Sequence, residues 1–347
     1  MRRVLLSLVA VVGCALPPST TSTAAQTQPT AVSQTDARTQ VRVQSQAPET
    51  GARTDTALTL PVKKDSVKFA VIGDTGTGDK HQYAVAKELT AWRSTFPYSF
   101  VIMMGDNLYG GNSEKDYDKK FAIPYKPLLD AGVKFYASLG NHDDPSERYY
   151  KPFNMNGDRY YSFKPADGVR FFALDSNYMD EKQLKWLDDQ LAASGSEWKI
   201  CFFHHPPYSS GEAHGSDVTL RNQIEPLFVK YGVNAVFTGH EHFYERIKPQ
   251  KGIAYFIAGS SAKLREGNIA TSALEAKGFD QGYTFMLVEI SGDDLFYQTL
   301  SEQGKTIDSG SVHRVGKVEP TPNRTAQPVV PTGGSDTVKP VTKPTGK

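Results

Sequence analysis

The chain has 347 residues, 39% of them hydrophobic and 22% charged, which suits one large globular core or two small ones. Its formal net charge of +1 excludes the broad basic field that draws proteins onto nucleic acid without base-specific contacts. No nucleic-acid partner is expected.

Residues 1–18 read as a secretory signal. Met1-Arg2-Arg3 gives the positive start, and the apolar run Val4 to Gly13 is too short to span a bilayer stably. The run ends in Val11-Val12-Gly13-Cys14, which resembles a bacterial lipobox, whose cysteine is lipidated and becomes the first mature residue. Ordinary cleavage near Thr23-Ala24-Ala25 also meets the small-residue requirement, but only the first route explains the cysteine. Either way the chain is expected to be exported: periplasmic or at the cell surface if anchored at Cys14, otherwise secreted. Membrane contact is expected only through that lipid. With Cys14 lipidated or removed, Cys201 has no disulfide partner, and its apolar neighbours Ile200 and Phe202 make it a buried, inert thiol.

Residues 19–65 are rich in Thr, Gln, Ala, Ser and Pro, cannot bury enough apolar surface to offset ordering, and read as a disordered tether. The Pro/Thr/Lys-rich tail 315–347 reads the same way, leaving 66–314 as the folded domain. Within it, short apolar runs at Val67–Ile72, Phe100–Met104 and Val133–Leu139 alternate with amphipathic stretches at His81–Phe96 and Asp180–Ala193. Further runs follow at Tyr160–Phe163, Val169–Leu174, Lys199–Phe203, Val233–Phe237 and Ile253–Ala258. Tyr283–Ile290 and Asp294–Leu300 read as an antiparallel pair joined through Ser291-Gly292-Asp293. The pattern is that of an α/β domain with strands enough for two packed sheets.

Nearly every one of these runs ends in Gly with Asp, Asn or His: Gly73-Asp74, Gly105-Asp106-Asn107-Leu108-Tyr109, Gly140-Asn141-His142-Asp143, His204-His205 and Gly239-His240-Glu241-His242. Ligand sites of α/β sheets lie beyond the carboxyl ends of strands, so these residues should converge on one rim. Six of the eight histidines fall at 142, 204, 205, 214, 240 and 242, a clustering that solvated histidines would not show. Asp, Asn and His together suit divalent transition metals, and without paired cysteines a structural zinc site is not expected. An extended backbone would put His240 and His242 on one face. Adjacent His204 and His205 should point oppositely, which favours His205 as ligand and His204 as a hydrogen-bonded support.

The ordered series Asp74, Asp106 with Tyr109, Asn141-His142, His205 and His240-Glu241-His242 resembles the motif series of the purple acid phosphatases, within the calcineurin-like metallophosphoesterases. The smaller, tartrate-resistant type is the nearer resemblance. It implies a four-layer αββα sandwich, two mixed β-sheets flanked by helices. It also implies hydrolysis of phosphate monoesters by a hydroxide held between Fe(III) and a second divalent ion (Fe, Zn or Mn). By the same resemblance Asp74, Tyr109 and His242 hold the ferric ion, Asp106 bridges, and Asn141, His205 and His240 hold the divalent ion. His142 and His214 face a small phosphorylated substrate and assist protonation of the leaving group. Such a centre carries a local charge of roughly +1 and attracts phosphate. The chain departs from the family in lacking the plant-type amino-terminal sandwich domain and the mammalian disulfide. A metal-dependent phosphodiesterase of the same superfamily is the alternative, and relatives of that kind usually lack a tyrosine at the position of Tyr109. A non-catalytic phosphate-binding lipoprotein is a further one, and a lost ligand would mark it.

Overall fold

The computed structural model describes residues 40–45 and 57–315. The signal segment with Cys14, most of the tether and the tail from 316 onward lie outside the described residues. Fourteen strands form two sheets of seven among the described residues. In the first sheet β2 (Val67–Ile72), β3 (Phe100–Met103) and β4 (Lys134–Ala137) run parallel. On the other side of β2, β12 (Thr284–Ser291), β13 (Asp294–Ser301), β14 (Thr306–Val315) and β1 (Gln40–Ser45) follow in antiparallel succession. The second sheet has a parallel centre of β6 (Val169–Ala173), β7 (Trp198–Phe202), β8 (Ala235–Thr238) and β10 (Ile253–Ala258). Antiparallel β5 (Tyr161–Ala166) edges it on one side, β9 (Tyr244–Gln250) and β11 (Glu275–Phe279) on the other.

Strand periodicity explains the layering. In β2, Phe69 and Val71 point into the space between the sheets, while Ala70 and Ile72 point outward onto α1 (Lys80–Trp92). Between the sheets Phe69 meets Phe171 edge-on at 5.1 Å and Phe237 at 6.1 Å; each such buried ring contributes roughly 1.5–3 kcal/mol. On the far side of the second sheet, Phe172, Cys201 and Phe203 pack against Leu187 and Leu191 of α4 (Glu181–Ala192) and Ile224 and Phe228 of α5 (Val218–Tyr231). Two mixed sheets with helices outside each make the four-layer αββα sandwich expected from the motif series. Asp79, Asp180 and Asp217 cap α1, α4 and α5, and Gly232 at φ +66° ends α5.

The tether is shorter than composition implied. Residues 40–45 pair with β14 as an edge strand, and 57–65 lie against the first sheet with Leu60 buried. The Thr59 N–H donates to Gln298 Oε1 at 2.9 Å, and the Val62 and Lys63 N–H groups donate to the two oxygens of Glu289 at 2.7 and 2.5 Å. Buried side chains of the folded domain thus anchor a polar segment that has no core of its own. The antiparallel pair near the end forms as expected, with Ser291 opposite Asp294 across Gly292 at φ +62°.

Candidate metal centre

Five loops meet at one rim, each leaving the carboxyl end of a strand. Those after β2, β3 and β4 carry Asp74, Asp106 and Asn141 from the first sheet; those after β7 and β8 carry His204, His205, His240 and His242 from the second. Three of these residues hold left-handed backbones: Asp74 at φ +55°, Asp106 at +50° and His240 at +69°. Such conformations cost about 1–3 kcal/mol each outside glycine and persist only when their surroundings hold them. The holding bonds are visible. The Asp74 N–H donates to the Gly105 carbonyl at 3.1 Å, the His240 N–H to Asp74 Oδ2 at 2.9 Å, and the His142 N–H to Asp106 Oδ1 at 2.9 Å. A Cβ at Gly140 would stand 2.2 Å from Asp106 Oδ1, so only glycine lets the two loops approach this closely.

Two groups of donors result. Asp74, Asp106 and His242 offer atoms all within 4.8 Å of one another, and so do His204, His205 and His240. Tyr109 joins the first group, its hydroxyl 3.1 Å from Asp74 Oδ1 and 3.3 Å from His242 Nε2. Asn141 joins the second, its Oδ1 lying 2.9 Å from His204 Nε2 and 3.0 Å from His240 Nδ1. Asp106 touches both, since its Oδ1 is also 3.5 Å from His204 Nε2. His142 places its ring 5.0 Å from that of Tyr109, and His214 places its ring 4.2 Å from that of His240; both are exposed.

The two histidines after β7 depart from expectation. His204 is buried and does hydrogen-bond as a support, its Nδ1 lying 2.8 Å from the Met104 carbonyl, but its Nε2 reaches into the donor group alongside Asn141 and His240. His205 faces the same group, with its Nδ1 2.9 Å from Ser176 Oγ. Neighbours diverge only while the chain is extended, and β7 ends at Phe202, two residues before His204. The backbone at His240 is likewise not extended. It turns through the left-handed region, and His240 and His242 serve different groups.

The electrostatics fit a cation. Burial, then the charge of Asp106, pushes the Asp74 carboxyl well above its ordinary value. Burial and neighbouring imidazoles hold His204 well below its ordinary value and His240 down at about 2. For His242, at about 4, burial acts first and the charge of Arg265 second. The rings are therefore neutral, as metal ligands must be. A carbonyl acceptor fixes the proton of His204 on Nδ1, so His204 Nε2, Asn141 Oδ1 and His240 Nδ1 face one another within 3.1 Å with at most one proton among them. A cation resolves that crowding of lone pairs, and the donor set fits one. Burial, with the Asp74 and Asp106 carboxylates, pushes the Tyr109 phenol far up, a shift that a metal ion beside it would reverse.

Further side chains hold the loops. Half-buried Asp143 accepts from the Asn107 and Leu108 N–H groups, from Asn107 Nδ2 and from the Gly140 N–H, locking the loops after β3 and β4 together. Glu241, fully buried, accepts from the Gly215 N–H at 2.7 Å and steadies the loop of His214. Reasoning from sequence passed over a sixth loop, after β10. There Ala258-Gly259 repeats the strand-then-glycine signal, but Ser260 follows where the other loops have Asp, Asn or His. A cavity of about 610 Å³ opens beside Asn141 and His205 toward Arg148, Arg159 and Tyr178.

The calcineurin-like phosphoesterase family matches residues 67–244, and the chain belongs to that family. Human tartrate-resistant acid phosphatase type 5 is 24% identical over 307 residues, covering 72% of this chain and 93% of its own length. Probable purple acid phosphatase 20 of Arabidopsis thaliana is 30% identical over 262 residues, covering 64% and 59%. Among solved structures, GAP50, the anchor in the inner membrane complex of Plasmodium, superposes with a TM-score of 0.65 at 20% identity over 74% of this chain and 91% of that one. A purple acid phosphatase from yellow lupin (Lupinus luteus) seeds gives 0.61 at 19% identity over 73% and 54%. Homology to the purple acid phosphatases and the two donor groups together support metal-dependent hydrolysis of phosphate esters.

Proposed function

We propose that the chain is an exported acid phosphatase that hydrolyses phosphate monoesters at a centre of Fe(III) and a divalent ion, Fe, Zn or Mn. The observation that carries this reading is the sharing of Asp106 between two donor groups, one of which holds the Tyr109 phenol. Two carboxylates and a phenol are hard oxygen donors suited to a trivalent ion; Asn141, His205 and His240 are neutral donors suited to a divalent one, with His204 beside them. Bound there, such a pair supplies Lewis acidity to the phosphoryl oxygens and lowers the pKa of a water for in-line attack. The chain's own part is to orient and to move protons. Glu241 and Asp106 fix the loops of His214 and His142, whose exposed rings flank the donor groups where a leaving oxygen would take up its proton.

The test is spectroscopic. The oxidised, metal-loaded protein should show a visible phenolate-to-iron charge-transfer band that disappears in Tyr109→Phe. A colourless wild-type enzyme, fully active with two divalent ions, would move the assignment to a metal-dependent phosphodiesterase.

A further inference from the structure

The loop after β10 carries a cation that no motif explains. Its first half is fastened to the donor loops at two points: the Ser261 N–H donates to the Gly73 carbonyl at 3.2 Å, the Gly73 N–H to Ser261 Oγ at 3.2 Å, and the Arg265 N–H to the His242 carbonyl at 3.0 Å. A Cβ at Gly259 would come within 2.9 Å of Asp74 Oδ2, so the loop abuts the donors themselves. Between these fastenings stands Lys263, its Nζ 4.4 Å from the centroid of the Tyr109 ring. Two cations of the same neighbourhood are engaged: Arg265, two residues on, with Glu241 at 3.5 Å, and Lys120, which donates to the Tyr109 carbonyl, with Asp116 at 2.6 Å. Among the described residues Lys263 has neither an ion-pair nor a hydrogen-bond partner.

An ammonium held against the cluster with all three donors unused lacks an anion. We propose that Lys263 binds the non-esterified phosphoryl oxygens of the substrate and selects doubly charged phosphomonoesters over singly charged phosphodiesters. This rests on the phosphoesterase reading and adds a selectivity element to it. The second proton of a phosphomonoester leaves near pH 6, so above that pH a monoester presents one more negative charge and one more free oxygen than a diester. A fixed ammonium rewards that difference, by about tenfold or more for a charge-assisted hydrogen bond. Tyr109 sets the position of the ammonium, and the short stretch from Ser261 to Arg265, fastened at both ends, limits how far it strays.

The experiment uses the metal-loaded full chain with Lys263→Met and Lys263→Arg. Turnover is measured on nitrophenyl phosphate and bis(nitrophenyl) phosphate, binding of inorganic phosphate by calorimetry, and metal content by elemental analysis. In Lys263→Met, with both metals retained, the monoester KM and the phosphate Kd should rise about tenfold while the diester loses less. Lys263→Arg should recover most of the loss. Equal losses on both esters, or wild-type phosphate affinity in Lys263→Met, would overturn the role of Lys263. A metal-loaded wild type that binds phosphate yet hydrolyses neither ester would instead overturn the phosphatase reading, with the calorimetric arm still deciding on Lys263.

Discussion

At the scale of single residues, the histidines divide by what surrounds them. His204, His240 and His242 have ring nitrogens pressed against other donors, whereas His142 and His214 are exposed and their ring nitrogens have no hydrogen-bond partner among the described residues. We therefore expect His142→Ala and His214→Ala each to lower turnover on the order of a hundredfold while both metals stay bound, as read by steady-state kinetics beside metal analysis. Loss of metal from either variant would make that residue a ligand instead. The donors were legible in the sequence because each follows a strand, and all but His204-His205 also follow a glycine. The orientation of His204 was not, since it depends on where β7 stops, and apolar Phe203 hides that end. Lys263 was illegible for another reason: a lysine in a loop is ordinary, and only the packing of its loop on Asp74 and His242 gives it a place.

At the scale of elements, the loops after β3 and β4 meet at a tight junction. A methyl group at Gly140 cannot be accommodated without moving the Asp106 carboxylate, which lies 2.2 Å from that Cβ position and serves both donor groups. Gly140→Ala should therefore bind both metals more weakly, and lose about 1–3 kcal/mol of stability to urea. Wild-type metal affinity in that variant would show that the loops yield more than their bonds suggest. The sequence located strands whose apolar runs are continuous, and β2 falls on the expected residues. β9, β11 and β14 escaped notice because Tyr244–Gln250, Glu275–Phe279 and Thr306–Val315 are half polar and owe their form to pairing with neighbours. α5 escaped because Pro226 interrupts its pattern.

For the whole molecule, the donor loops all lie on one rim of the sandwich, and the amino-terminal segment enters along the first sheet through 57–65 and β1. We propose that this segment connects the catalytic domain to a lipid on Cys14, on the strength of the Val-Val-Gly-Cys ending and the polar stretch that follows. Cys14→Ser should move the protein from the membrane fraction to the soluble one and change its electrophoretic mobility; no change in either would leave ordinary secretion. Composition pointed to an expected export signal and to the polar stretch, but not to buried Glu289 and Gln298 gripping part of that stretch.

The rim has a mechanical consequence. Asp74, Asp106 and Asn141 belong to one sheet and His205, His240 and His242 to the other, so a metal pair would act as a clasp across the mouth of the sandwich. The jaws of that clasp are aligned far below it, by Phe69 wedged edge-on against Phe171 and Phe237. A slip of one sheet along the other by a single residue, about 3.3 Å, is as large as the donor spacings themselves. Metal affinity in this protein is therefore a reading of how well two sheets mesh, and damage to the apolar seam would be felt first as a loosened grip on the ions.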